Sequence, residues 1–369
     1  MAIVTIEGFD TKQLLVGEGK WSGVWLNPDH SDVTEGIYQA GALGGYSITA
    51  TRCGPYLQRN APPLKWVIGL NVYALETPFA IPLVGIRNTD NSNFSFVVGT
   101  QMGRLFAAVN AQYSPTASSD ATSGGILTPE GDWLTPDKEP ILLPSRWVYV
   151  EVMIEPSDVE DGYAAIRVDE ELWWEQRNLR TLYGDGKILQ IGSNFIWEYD
   201  LEYAPVLLDD VYVLDGSGFE YNNFLGTVYV ATVLPIADGT HATWTPNTGT
   251  AAYACVDDPG PHDGDNTYIY TDINGAMQSF KMAPLEVANI HCVQLTAVAS
   301  KIRLAAGWIG LYTYQEGKFE KTPMFAVKRG YKAYSKVFTH NPWGDKWSAH
   351  DLSDVEFGVY AQVDWKAEE

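Results

Sequence analysis

Residues 147–155, Trp-Val-Tyr-Val-Glu-Val-Met-Ile-Glu (WVYVEVMIE), alternate without a break. Successive side chains of an extended chain point to opposite faces, so Val148, Val150, Val152 and Ile154 share one side and Tyr149, Glu151, Met153 and Glu155 the other. The first set predicts a face packed on a core. The second, with two carboxylates, predicts a solvated face. Downstream, residues 158–162 (DVEDG) form an acidic turn ending in glycine, and residues 163–169 (YAAIRVD) read as the returning strand of a hairpin. Upstream, residues 65–74, 81–87, 94–99 and 105–109 each have strand length and strand composition, spaced as in a meander. Helical periodicity is hard to find in this half, and the reading is all-β.

A seam follows at residues 208–246. Asp209 and Asp210 open a buried strand at Val211 to Leu214, and Asp215-Gly216-Ser217-Gly218 stops it with turn chemistry. Residues 219–226 read as a linker that packs against something, since its two Asn are mixed with Phe, Tyr and Leu. A new strand opens at Thr227 and covers Val228 to Leu234. The chain therefore divides into a domain at 1–218 and a second, smaller antiparallel β-sandwich at 227–369, and 369 residues suffice for two cores. In the second domain, residues 268–271, 289–300, 302–314 and 319–328 read as strands. Residues 348–354 form one helical turn capped by Ser348 or Asp351. The closing strand alternates, with Val355, Phe357, Val359, Ala361 and Val363 on one face and Glu356, Tyr360 and Gln362 on the other, as a half-buried antiparallel strand does. Residues 111–144, rich in Ser, Thr, Pro and Gly around Trp133, form a long surface excursion and so a candidate contact region.

Composition narrows the function. With 24 basic against 46 acidic residues the formal net charge is −22, which excludes duplex nucleic acid as a partner, because phosphate contacts need clustered Lys and Arg. Cys53, Cys255 and Cys292 are three and far apart, which suggests neither a disulfide framework nor a zinc ligand set; they read as small core residues. No segment reads as a membrane span, and the amino terminus lacks a basic region followed by an apolar run, so the expectation is folding in a cytoplasm without signal-directed export. The 13 Trp and 21 Tyr are numerous enough to serve docking surfaces as well as cores.

The first domain resembles the concanavalin A-like, laminin-G-type jelly rolls. Residues 147–152 and 164–169 look like that fold's paired central strands, and residues 208–215 like its terminal strand. The second resembles a module that follows such jelly rolls in structural proteins of tailed bacteriophages. Leu234-Pro235, Ala237-Asp238-Gly239-Thr240, Trp244-Thr245-Pro246, Asp263-Gly264-Asp265, Thr267-Tyr268, Asn341-Pro342, Trp347 and Phe357-Gly358-Val359 carry this likeness. It departs at Pro342-Trp343-Gly344-Asp345, where such proteins have smaller residues. The resemblance implies a virion component assembled in the host cytoplasm, on the particle exterior as a head decoration, collar or tail-associated subunit. It brings no catalytic residues.

Candidate chemistry is sparse. Glu151 and Glu155 are four apart on the outward face, too far for one sugar, and Glu170 and Glu171 are adjacent and point oppositely, so no glycosidase pair forms. Asp257, Asp258, Asp263 and Asp265 crowd one loop and are weak candidates for a structural calcium site, although the helix-loop-helix template would put its first ligand on Pro259. No histidine has metal spacing and no nucleophile elbow is present. Trp133, Trp173, Trp174, Trp197 and Tyr199 are the candidates for glycan or partner contact. The expectation is a non-enzymatic virion protein without cofactors, acting through contacts with other virion proteins and copies of itself. The alternative is a host-surface glycan adhesin, and less favoured a glycan depolymerase.

Overall fold

The computed structural model describes residues 3–10, 16–18, 20–26, 38–40, 42, 46–49, 53–74, 81–90, 93–101, 103–113, 127–129, 134, 146–192, 206–287, 289–301 and 306–364. The fold is all-β: among the described residues the helices are a 3-10 turn at Ala252–Cys255 and a short α-helix at Ala349–Asp354. The chain divides into two compact units, residues 1–9 with 21–230 and residues 10–20 with 231–369.

In the first unit, an eight-stranded antiparallel sheet runs in the order Glu171–Leu179, Gly162–Val168, Trp147–Glu155, Trp66–Ala74, Val206–Leu214, Tyr46–Thr49 and Tyr38–Ala40, with Ile3–Glu7 paired to Val206–Leu214. A seven-stranded sheet runs Leu127–Pro129, Arg104–Tyr113, Asn93–Gln101, Ile81–Arg87, Ile188–Ile191, Cys53–Gln58 and Gly23–Leu26. The alternation at residues 147–155 makes the core side of the first sheet. Val152 lies opposite Ile166 and Ile68, and Ile68 opposite Val213, so one apolar row crosses four strands. All four side chains are fully buried, each contributing about 2 kcal/mol by leaving water. Most of the excursion at 111–144 lies outside the described residues; Leu127–Pro129 pairs with Arg104–Tyr113.

The second unit is a smaller sandwich. One sheet runs Pro235–Ala242, Met277–Met282, Glu356–Asp364, Ala306–Gln315 and Lys318–Lys321. The other sets Lys332–Phe338 between Val293–Ala299 and a short parallel partner, Gly17–Glu18. Ile309, Leu311 and Val359 from the first sheet meet Tyr334 of the second, with Leu295 and Ala297 packed against them. Ser348 caps the helix at Ala349–Asp354, and Asp351 completes a capping box instead of being the cap.

One expected strand is missing. Residues 228–234 enter no sheet. Their β-type composition is overridden by side-chain acceptors: the Val230 amide donates to Asp210 Oδ1 at 2.8 Å and the Thr232 amide to Asp10 Oδ2 at 3.3 Å.

Candidate functional site

The second face of the eight-stranded sheet is built by cross-strand register. Tyr212 lies opposite Gly69, Gly69 opposite Glu151, Glu151 opposite Arg167 and Arg167 opposite Leu172. Glycine at position 69 leaves room for the Tyr212 ring, since a Cβ there would stand 2.1 Å from the ring as it lies. The ring therefore crosses the intervening strand, and its hydroxyl donates to Glu151 Oε1 at 2.5 Å. Beside this pair, Asn71 Nδ2 donates to Asp210 Oδ2 at 2.8 Å and the Tyr149 hydroxyl to the Asp210 carbonyl at 3.2 Å. Asp210 sits in a bulge of its strand at φ +49°.

The middle of this face is not solvated, and the expectation of a solvated polar side is corrected at Tyr149, Glu151 and Met153, while Glu155 at its end stays partly exposed. Tyr149 is 2% exposed and Glu151 1%. The cause is residues 224–230, which cross the sheet: the amides of Leu225 and Gly226 donate to Tyr212 Oη and Glu151 Oε1 at 3.2 and 3.0 Å. Burial, with the Tyr212 and Glu151 groups nearby, pushes the Tyr149 phenol well up, and burial with Glu151 does the same to Tyr212. Both stay neutral hydrogen-bonding groups. Glu151 Oε2 is buried without a hydrogen-bond partner.

The outer part of the same face, on Gly162–Val168 and Glu171–Leu179, stays open. The Tyr163 hydroxyl donates to Glu175 Oε2 at 2.8 Å, and the Arg177 guanidinium lies over the Tyr163 ring at 4.6 Å. Burial and the Glu175 carboxylate raise the Tyr163 phenol to about 12, so it remains a donor. Glu175 and Arg177 are exposed, and Leu172 is 50% exposed. Trp173 and Trp174 part company here. Trp174 lies opposite the fully buried Ile166, whereas Trp173 is the extra residue of a bulge, half-buried, with its indole N–H buried and unpartnered. Trp133, Trp197 and Tyr199 lie outside the described residues. Tyr163, Glu175 and Arg177 carry no motif; the usable signal was the hairpin register, which sets Tyr163 opposite Arg177.

The second unit also buries a carboxylate. Glu356 is 6% exposed, with Oε2 accepting from the Thr240 amide and Ser279 Oγ at 2.7 Å each, and Oε1 from Thr240 Oγ1 at 2.8 Å. This corrects its placement on a solvated face. Burial pushes the carboxyl up, but these bonds and His241 outweigh it and hold Glu356 below its ordinary value. The acidic loop is closed on itself. Asp258 accepts from the Asp263 amide, Asp263 from the amide and hydroxyl of Thr267, and Asp265 from the Tyr331 hydroxyl. Among the described residues no three acidic, His or Cys side chains gather as a metal site, so Asp257, Asp258, Asp263 and Asp265 are not brought together as ligands. No described helix is long and apolar enough to cross a membrane.

No protein-family model and no curated protein matches the sequence. Solved structures do. An endo-β-1,4-glucuronan lyase from the fungus Trichoderma reesei is 14% identical, covers 57% of this chain and 95% of its own, and has a TM-score of 0.37. The PL-14 alginate lyase from Aplysia kurodai is 9% identical over 58% of this chain and 100% of its own, TM-score 0.37. Domain 4 of AbnA, an arabinanase from Geobacillus stearothermophilus in complex with arabinotriose, is 12% identical over 58% and 92%, TM-score 0.36. These neighbours correct the expectation of a chain that is not an enzyme. Two of the three are lyases, so that exclusion is dropped. At such TM-scores the likeness assigns neither activity nor substrate.

Proposed function

We propose that the first unit recognises glycan, with the open part of its eight-stranded sheet as the contact surface. The observation that carries this reading is the Tyr163–Glu175–Arg177 group. An exposed carboxylate and guanidinium are held side by side by one phenol, ready to accept from and donate to neighbouring sugar hydroxyls. Leu172 and Trp173 next to it supply apolar surface for the C–H face of a pyranose. The unit's residues, 1–9 and 21–230, include 28 acidic against 11 basic, so a neutral glycan is favoured over a polyuronate. The setting we propose, the outside of a tailed-phage particle among other virion proteins and copies of itself, is supported by the sequence resemblance alone.

The test is a panel of neutral and uronate oligosaccharides, with binding by calorimetry and reducing-end release measured on the same samples. Neutral sugars should bind, and Glu175→Gln or Arg177→Ala should weaken them about tenfold, as loss of one charge-assisted hydrogen bond does. Absence of binding across the panel would overturn the reading. Gel stoichiometry of purified particles tests the setting, and a chain found only in host lysate removes it.

A further inference from the structure

We propose that residues 224–230 are a releasable strap over a concealed polar face. Amides of this segment bond to side chains and not to a neighbouring strand, and four of them reach side chains outside the segment and its flanks. Leu225 donates to Tyr212 Oη at 3.2 Å, Gly226 to Glu151 Oε1 at 3.0 Å, Thr227 to Glu170 Oε1 at 3.1 Å and Val230 to Asp210 Oδ1 at 2.8 Å. The segment is held by these bonds more than by burial. None of its residues is fully buried, Tyr229 is 50% exposed, and Phe224 rests under the Arg167 guanidinium at 5.0 Å. What it covers is polar: Tyr149, Glu151, Asp210 and Tyr212 are each at most 2% exposed.

The closed state is also frustrated, since Glu151 Oε2 has no partner while the strap excludes water from it, and an unsatisfied buried acceptor is costly. Opening at positive-φ glycines, Gly216 before the segment and Gly226 within it, hydrates that oxygen without breaking any sheet ladder. The acceptors that hold the strap's amides are equally suited to sugar hydroxyls. Release therefore extends the contact surface from Tyr163 toward Tyr212; this last step rests on the glycan reading, whereas the strap itself does not.

Amide hydrogen exchange on the full chain, without any sugar, is the test. Residues 225–230 should exchange about 100-fold faster than residues 147–155 and 206–214, which lie beneath them. Tyr212→Phe, which removes one acceptor, should accelerate the strap about fivefold further while 147–155 stays protected. Strap amides as protected as the two strands would overturn the proposal, whatever Tyr212→Phe does to folding. Repeating the exchange with the neutral oligosaccharides that bind tests the link to glycan: fast strap exchange that sugar leaves unchanged keeps the strap and removes only that link.

Discussion

In each unit a glutamate is buried on the second face of a sheet, and in each an aromatic ring lies across a strand glycine beside it. In the first, Tyr212 crosses Gly69 to reach Glu151; in the second, Tyr312 crosses Gly358, next to Glu356. The difference lies in how the carboxylates are satisfied. Glu356 has both oxygens bonded, by donors on two neighbouring segments of its own unit. Glu151 has one oxygen bonded and one bare, under a segment that belongs to no sheet. A fully satisfied buried carboxylate is structural, since removing it strands its donors. A half-satisfied one marks a place where the cover is not the only partner the site accommodates.

The largest expected effect is at Glu356. Glu356→Ala leaves the fully buried Ser279 hydroxyl and the Thr240 amide and hydroxyl without their acceptor, and should destabilise the second unit by about 3 kcal/mol in urea unfolding. A loss under 1 kcal/mol would erase the contrast between the two glutamates. Next come the glycines. At Gly358 a Cβ would stand 2.4 Å from the Gln278 carbonyl as well as from the Tyr312 ring, so Gly358→Ala should cost about 3 kcal/mol. At Gly69 the nearest atoms are all of the Tyr212 ring, which can swing away toward the strap. Gly69→Ala should therefore cost nearer 1 kcal/mol and speed strap exchange.

Acid sharpens the same comparison. Glu356 is held below its ordinary value of 4.5, so the stability it contributes is complete above that pH and is lost as pH falls through its lower folded value. Between pH 7 and pH 3 the second unit of the parent chain should lose more stability than that of Glu356→Gln, by urea midpoints at each pH. Equal losses would show that the carboxylate is not the linked group.

Much of the fold was legible because the alternation at 147–155 has a strict period of two and the core row follows from it. The same pattern misled about its other face. Tyr149 and Glu151 are buried by a segment about 75 positions later in the chain, and no local pattern encodes a cover that distant. That segment was misread in turn, since VYVATVL has strand composition while Asp210 and Asp10 take its amides. Adjacent Trp173 and Trp174 would alternate faces on a regular strand, but their actual placement depends on the bulge between Ile166 and Arg167. A signal for the buried pair did exist: Gly69 and Gly358 stand alone inside strong strands, where a lone glycine marks the close approach of something large.

The smallest effect is the most discriminating. Glu151→Gln keeps an oxygen for the Tyr212 hydroxyl and the Gly226 amide, and puts an amide NH2 where the bare oxygen lies. If Glu151 were structural in the sense of Glu356, that change would cost about 2 kcal/mol, because a charge-assisted acceptor is weakened and a new buried donor is left unpaired. If the strap is a loose cover, the amide reaches water through the same opening, and the change should stay within about 0.5 kcal/mol in global stability while the strap amides exchange faster. A global loss with unchanged strap exchange would place Glu151 beside Glu356 as a core carboxylate.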